Sequence, residues 1–441
     1  MMKILKRTWL IHVVTFFILC IPLLAYAQEQ IDEKGLQEMG RQIDVLTEEI
    51  EKLKLGAVAE IEYESFMGLG PAASKVYGID KGLSIGGYGE VVYNNYQHSS
   101  KKDFADAYRF ILYGGYKFND WIIMNTELEF EHAGIGNSGS KEPEVYAEFS
   151  YLDFLLNSGF NVRTGLILMP IGLVNEYHEP TVYHSILRPD VELNIIPSTW
   201  RDIGAMAYGE VGGLKYNVAL VNGLRANSFA NSTWIRSGRQ QGAKVNADAL
   251  ASLVRINYEP LTDLLIGGTY YSAKADTGKG GDEDKSTDKE GTVNLWEVHA
   301  QYQVKGLYLR GLYAKGSLDA NDNFKTDASL KKVGKEVEGW YLETAYDIMP
   351  LIKSGSEMSL TPFVRYEAYD TNKDVFAGQT HDTTLDRKVA TYGIGFKPHP
   401  NVVIKADYQS RDTSSSLSEG KGTNLDENKI DQFNIGVGFI F

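Results

Sequence analysis

Along most of the chain, hydrophobic and polar residues alternate with a period of two. In residues 121–132, the apolar positions are Ile122, Met124, Leu128 and Phe130, and the polar positions between them are Asn125, Glu127, Glu129 and Glu131. Successive side chains of a β-strand point to opposite faces, so such a segment has one apolar and one polar side. Segments of this length with this pattern are typical of strands in a transmembrane β-barrel, whose apolar side faces lipid.

We count 16 such segments after residue 81. They span 82–97, 104–118, 121–132, 143–155, 159–170, 203–210, 213–223, 250–259, 262–274, 292–304, 306–318, 335–349, 357–371, 387–398, 400–411 and 429–441. Short connections, such as Asn119-Asp120, alternate with long ones, such as 171–202 and 224–249. Short periplasmic turns and long outer loops give this rhythm. The sequence therefore predicts an all-β fold, a 16-stranded antiparallel transmembrane barrel over residues 82–441.

A barrel of this size implies a pore. Unpaired backbone groups are costly in hydrocarbon, so the sheet must close, and 16 strands enclose a lumen wider than side chains can fill. By the alternation, the candidate lumen and selectivity residues are Arg109, Arg163, Arg255, Arg310, Arg365, Glu127, Glu129 and Glu131. The alternative is that these are only solvated lumen groups. We expect passive diffusion of small solutes and ions through a water-filled channel.

The long connection 171–202 is the candidate constriction loop, because an inward-folded loop can narrow such a pore. Its charged residues are mostly acidic: Glu176, Glu179, Arg188, Asp190 and Glu192. His178 and His184 also lie in it. A transition-metal site at these histidines is conceivable, but we expect no metal, no cofactor and no catalytic residues, because no His has a recognisable companion motif.

The chain before the barrel divides into three parts. Residues 1–27 combine a cationic start, an apolar stretch and Ala25-Tyr26-Ala27, the pattern of a cleavable signal peptide. Export would place the protein in the bacterial outer membrane. Residues 28–55 carry a heptad seam that includes Ile43, Leu46, Ile50 and Leu53, which predicts a periplasmic coiled-coil helix. Residues 56–81 have no steady period and are interpreted as a linker.

The heptad seam bears on the oligomeric state. Ile at heptad position a and Leu at position d favour coiled coils of two helices. A trimeric porin barrel can nevertheless bring three such helices together. We expect a homotrimer held by the coiled coil and the barrel wall, in contact with outer-membrane lipid; the alternative is a spacer helix. The net charge of −14 makes nucleic acid an unsuitable partner. Cys20, the single cysteine, lies in the predicted signal peptide, so we expect no disulfide framework.

Two stretches resemble the phosphate-selective porin O and P family. They are NVRTGLILMPIGLVNE at 161–176, similar to the strand that leads into that family's third loop, and RDIGAMAYGEVGGLKYNVALVNG at 201–223, similar to the hairpin that follows. The resemblance implies a trimeric 16-stranded outer-membrane porin, with anions such as phosphate among its conceivable solutes. Phosphate-selective members use an arginine ladder and lysine clusters at the constriction, whereas this loop is acidic. The alternatives are a structural or adhesive barrel, or a barrel that sheathes a partner protein.

Overall fold

The computed structural model describes residues 40–42, 44–45, 65–97, 101–134, 144–276, 288–413 and 430–441. The chain divides into two compact units, Met1–Glu62 and Tyr63–Phe441. In the first unit, the few described residues are helical and exposed. The predicted signal peptide and nearly all of the predicted coiled coil lie outside the described residues.

The second unit is a closed antiparallel barrel. Its strands are β1 (Gly82–Tyr96), β2 (Phe104–Asn119), β3 (Ile122–Glu131), β4 (Glu144–Asn157), β5 (Phe160–Leu168), β6 (Arg201–Val211), β7 (Leu214–Asn222), β8 (Leu224–Arg225), β9 (Leu250–Leu261), β10 (Leu264–Asp276), β11 (Gly291–Val304), β12 (Leu307–Ala320), β13 (Glu336–Tyr346), β14 (Ser359–Asp374), β15 (Asp386–His399), β16 (Val402–Thr413) and β17 (Gln432–Ile440). The two-residue β8 pairs in parallel with β10, and the other 16 strands form the wall. The predicted 16-stranded barrel is confirmed.

The first and last strands close the barrel. Tyr88 pairs with Ile440, and Gly87 and Phe441 exchange two backbone hydrogen bonds of 2.9 Å each. The start of β1 and the end of β17 therefore lie at the same rim. The short connections lie at this rim too, which we call the turn side, and the long connections lie at the opposite, loop side.

The wall has an apolar outside and a polar inside. In β17, Ile435, Val437 and Phe439 are exposed on the outer face, whereas Asn434 is fully buried on the inner one. Such an outer band suits a hydrocarbon environment. The predicted alternation is therefore realised as two distinct faces.

The short helices lie at the barrel's ends and in its loops. They are α1 (Pro71–Gly78), α2 (Val191–Asn194), α3 (Asp322–Thr326) and α4 (Met349–Ile352), and the 3₁₀ turns are Ala226–Ser228, Arg236–Gly238, Leu330–Lys332 and Thr383–Leu385. No helix in the described part of the chain is long and apolar enough to span a bilayer.

The predicted linker 56–81 contains α1, which is packed inside the barrel against β1, β2 and β3. Sequence reasoning missed this helix because eight residues do not establish a helical period. Two glycines of the wall allow the close approach: a Cβ at Gly115 would stand 2.5 Å from the Cβ of Val76, and one at Gly86 would stand 3.1 Å from the carbonyl oxygen of Ala72. Residues 71–78 are therefore a helix within the barrel unit, a feature that the linker prediction did not include.

The connection between β5 and β6, residues 169–200, crosses the lumen, and we call it the inward loop. The hydroxyl of Tyr183 donates to Glu90 on β1 at 3.2 Å, and Asp190 forms a 2.6 Å ion pair with Arg411 on β16. On another part of the wall, Thr269 on β10 donates to the carbonyl of Pro170 at 3.4 Å. The loop therefore contacts widely separated strands, as its predicted role as a constriction requires.

Candidate functional site

The acidic side chains of the inward loop are used to attach it. Glu192 accepts hydrogen bonds from the backbone of Leu173 and Val174 at 2.7 and 2.8 Å and from the hydroxyl of Tyr341 at 2.6 Å. Glu176 lies 3.7 Å from Arg255. Burial raises the pKa of both glutamates, against the opposing effect of these partners. These two glutamates, which contribute to the acidic character of the loop sequence, are therefore buried beside partners and do not face open water.

Glu179 joins the inward loop to α1. Its carboxylate accepts hydrogen bonds from the backbone N–H groups of Ala72 and Ala73 at 3.2 and 3.0 Å. These N–H groups lie in the first turn of the helix and have no partner within it, so a carboxylate is a favourable cap. The helix and the loop therefore form one connected body in the lumen.

The candidate selectivity residues are all buried or partly buried within the barrel, and most are paired. Arg310 and Arg365 contact Glu343 at 2.9 and 3.2 Å, and Arg365 also donates to Ser185 of the inward loop at 2.6 Å. Arg163 forms a 3.0 Å ion pair with Asp153. The structure therefore places these arginines as supports of the loop and the wall.

A cavity of about 570 Å³ lies between the inward loop and the loop-side ends of the strands. Six cationic side chains line it against two acidic ones, Glu131 and Asp190; the cations are Lys101, Arg109, Arg188, Arg236, Arg387 and Arg411. We call this cavity the basic vestibule. Both acids already lie beside an arginine, since Glu131 is 3.9 Å from Arg109 and Asp190 is 2.6 Å from Arg411.

Three of these arginines, Arg188, Arg236 and Arg387, form no ion pair with a carboxylate among the described residues. Arg188 is 8 % exposed, and none of its guanidinium nitrogens has a hydrogen-bond partner there. Arg236 donates to the carbonyl of Leu193 and the hydroxyl of Ser198, and Arg387 donates to the carbonyl of Ser232. These acceptors are neutral, so the positive charge is not compensated. The vestibule is suited to an anion with several oxygen acceptors.

The pKa of Arg236 is lowered from its ordinary value. Burial is the main cause that lowers it to about 10, and repulsion from Arg188 and Arg109 acts in the same direction. The guanidinium remains charged at neutral pH.

Sequence reasoning found Arg109 and Arg188 but not the other cations of the vestibule. One signal was available: segment 224–249 contains Arg225, Arg236, Arg239 and Lys244 against the single acid Asp248. It predicts a basic outer loop, but not that the loop folds into the barrel. Arg387 and Arg411 gave no comparable signal, because only the barrel closure brings their strands to the same cavity.

The sequence was compared with known proteins. It is 36 % identical over 371 residues to an uncharacterized protein of Aquifex aeolicus strain VF5, a match that covers 82 % of this chain and 83 % of the relative. The chain belongs to the same family as this Aquifex protein. No protein-family model matches the sequence. The resemblance of this chain to phosphate-selective porins O and P therefore stays a prediction.

Solved structures share the fold of this chain. OmpF of Salmonella typhi, solved in complex with daunomycin, matches with a TM-score of 0.55 and 16 % identity over 82 % of this chain and 98 % of that one. The outer membrane channel DcaP of Acinetobacter baumannii matches at 0.53 and 11 % identity over 81 % and 97 % of the two chains. A loop-deletion mutant of OmpT from Vibrio cholerae matches at 0.52 and 11 % identity over 82 % and 100 %. The barrel is porin-like.

Proposed function

We propose that the protein is an outer-membrane channel through which small anionic solutes diffuse passively. The porin-like fold supports a channel, and the basic vestibule is the observation that favours anions over cations. Small oxyanions, phosphate among them, match the guanidinium groups in charge and in hydrogen-bonding geometry. Glu176, Glu179 and Glu192 do not enter this proposal, since they attach the inward loop to the wall and to α1.

Attraction at the loop-side mouth would raise the local concentration of anions. The vestibule is walled by protein of lower polarity than water, so charges act over a longer range there than in bulk solvent. A permeating ion must also leave, which requires several weak contacts instead of one tight site. Guanidinium groups on the inward loop, on the loop 223–249 and on strands β2, β15 and β16 provide such a set.

The proposal includes a homotrimer in contact with outer-membrane lipid. The exposed apolar band of the wall supports the membrane location, and the heptad seam in residues 28–55 supports association. We propose no enzymatic role.

Ion selectivity tests the proposal. Purified protein is inserted in a planar bilayer, and the reversal potential is recorded across a KCl gradient for wild type and Arg188→Gln. We expect chloride to be preferred by the wild type and the preference to decrease in the variant. Lys353→Gln is the control, because Lys353 is an exposed cation at the turn side. A cation-preferring wild type, or a preference unchanged by Arg188→Gln, would contradict the anion proposal.

A structural or adhesive barrel, or one that sheathes a partner, is the second candidate. It is favoured by one observation, that α1, the inward loop and the loop 223–249 all occupy the lumen. Absence of conductance from correctly folded, inserted protein would support this reading and exclude a constitutively open channel.

A further inference from the structure

Three buried groups with metal-ligating chemistry meet where the inward loop touches the wall. Glu127 on β3, Glu148 on β4 and His178 on the inward loop each offer one ligand atom, and these atoms all lie within 4.8 Å of one another. The Nε2 of His178 is 3.5 Å from a carboxylate oxygen of Glu127 and 3.7 Å from one of Glu148. Four ligands around an ion such as Zn²⁺, at about 2.1 Å from it, stand roughly 3.4 Å apart. The observed spacing is close to that arrangement.

A β-bulge brings the second carboxylate to this place. β3 and β4 pair Glu127 with Phe149 and Leu128 with Ala147, so Glu148 is the extra residue between the two pairs. Glu148 and Phe149 are consecutive and both fully buried, which a regular strand in this wall does not allow. Bulges re-aim side chains in this way, often beside functional sites. The local irregularity therefore places Glu148 next to Glu127.

The ligand atoms lack other partners. Among the described residues, neither the four carboxylate oxygens of Glu127 and Glu148 nor the Nε2 of His178 has a hydrogen bond. Glu127 and Glu148 are 0 % exposed and His178 is 2 % exposed. The Nδ1 of His178 lies 2.8 Å from the carbonyl oxygen of Asn175, which can only accept, so Nδ1 carries the proton. The lone pair of Nε2 is left facing the carboxylates, as in metal-binding histidines.

The charges around the cluster call for a divalent cation. Glu129, the neighbouring carboxylate on the same strand, lies 3.3 Å from Arg109 and is compensated by it. Glu127 and Glu148 have no arginine or lysine in an ion pair among the described residues. Tyr88, Tyr113 and Phe149 form the apolar surroundings, in which two unpaired carboxylates are expensive. A doubly charged ion would neutralise both.

We propose that Glu127, Glu148 and His178 bind a divalent transition-metal ion, with a water molecule as a further ligand. One imidazole nitrogen and two carboxylate oxygens suit Zn²⁺ and similar ions. The ion would clamp the inward loop to β3 and β4, opposite the supports that Arg365 provides from β14. None of the three ligand residues lines the basic vestibule, and the proposal does not depend on the direction of ion selectivity.

Zinc binding to the full-length protein tests the proposal. The protein is purified without a histidine tag, treated with a chelator and titrated with Zn²⁺ by calorimetry, and X-ray absorption at the zinc edge identifies the ligands. We expect one ion per chain, with one imidazole and oxygen ligands around it. His178→Gln should weaken binding by about 100-fold or more and remove the imidazole signal. Glu127→Gln and Glu148→Gln should weaken it without removing that signal.

His184→Gln is the matched control, because His184 lies on the same loop but contacts Glu343 at 2.8 Å. It should leave zinc affinity unchanged. The heat-dependent electrophoretic shift of folded barrels verifies that each variant folds. The proposal is overturned if the chelated wild type binds no Zn²⁺, or if His178→Gln and Glu127→Gln bind it as the wild type does. Either result would indicate two carboxyl groups that share a proton.

Discussion

Arg188 and Arg365 are both arginines buried in the lumen, and they differ in their partners. Arg365 is 0 % exposed and lies between Glu343 and Glu367, at 3.2 and 3.1 Å. Arg188 has no such partner among the described residues. A paired buried charge supports the structure, whereas an uncompensated one costs free energy and is retained for another reason. Arg365 is therefore interpreted as an arginine that supports the structure, and Arg188 as a candidate for binding a ligand.

Substituting each arginine by methionine should reveal this difference in stability. Arg365→Met leaves Glu367 without its ion-pair partner and Glu343 with Arg310 alone. It should lower the free energy of unfolding by about 3–5 kcal/mol. Arg188→Met removes an uncompensated charge and should change it by less than about 1 kcal/mol, or raise it. Urea titration of the barrel in detergent micelles measures both. Equal losses in the two variants would mean that Arg188 has a structural role.

Among the elements, α1 is hydrogen-bonded to the inward loop inside the barrel. The helix also packs so closely against the wall that an added methyl group at Gly115 would collide with it. Gly115 faces Val76 on the helix, whereas a Cβ at Gly114 would meet nothing within 4 Å. The two neighbouring glycines therefore separate the effect of displacing α1 from that of altering the strand.

Gly115→Ala should push α1 away from the wall and further into the lumen, which should lower single-channel conductance. Gly114→Ala is the control and should leave conductance unchanged. Hydrogen exchange at the amides of Ala72 and Ala73, which donate to Glu179, should accelerate only in Gly115→Ala. Unchanged conductance together with accelerated exchange would show that the helix does not restrict the pore.

The loop 223–249 is held by a buried tryptophan. The Nε1 of Trp234 donates to the carbonyl of Gly334 at 3.1 Å, and the ring packs against Gly316, where a side chain would collide with it. Phe229 and Ile235 of the same loop are buried beside it in the core. Apolar anchors therefore place this element in the lumen, and Trp234 is the largest of them.

Trp234→Ala should release this loop, since truncation of a buried tryptophan costs about 3–5 kcal/mol. Trypsin should then cut after Arg225, Arg236 or Arg239 in the folded barrel. Trp296→Ala is the control, because Trp296 is 39 % exposed on the outer face. If both variants resist trypsin equally, contacts other than Trp234 hold the loop.

At the scale of the whole molecule, the open question is assembly. Residues 28–54 carry the heptad seam, while the barrel closes on itself without them. Deleting residues 28–54 from the exported protein should leave channel conductance intact but lower the temperature at which the trimer dissociates on electrophoresis. A trimer as stable as the wild type would assign the segment another role, such as a spacer. A monomeric wild type would refute the trimer itself.

The barrel could be predicted from the alternation of residues along the chain alone. A strand between lipid and water must alternate, so the period of two, seen from Ile122 to Phe130, located all 16 wall strands within three residues of their bounds. Short and long connections fixed which rim carries the loops. The inward loop was also anticipated, because only one connection has both the length and the family-like entry sequence.

The contents of the barrel, in contrast, depend on contacts that form only in the folded protein. Whether an inward charge faces water or a partner depends on which strands lie opposite, and that is set by closure and not by local pattern. Arg387, Arg411 and Arg236 come together from distant segments, and Glu148 turns inward because of a bulge that leaves no mark in the sequence. The acids of the inward loop are likewise held by partners that its sequence does not reveal. Alternation follows from the solvent on each side of a strand, whereas pairing follows from the whole fold.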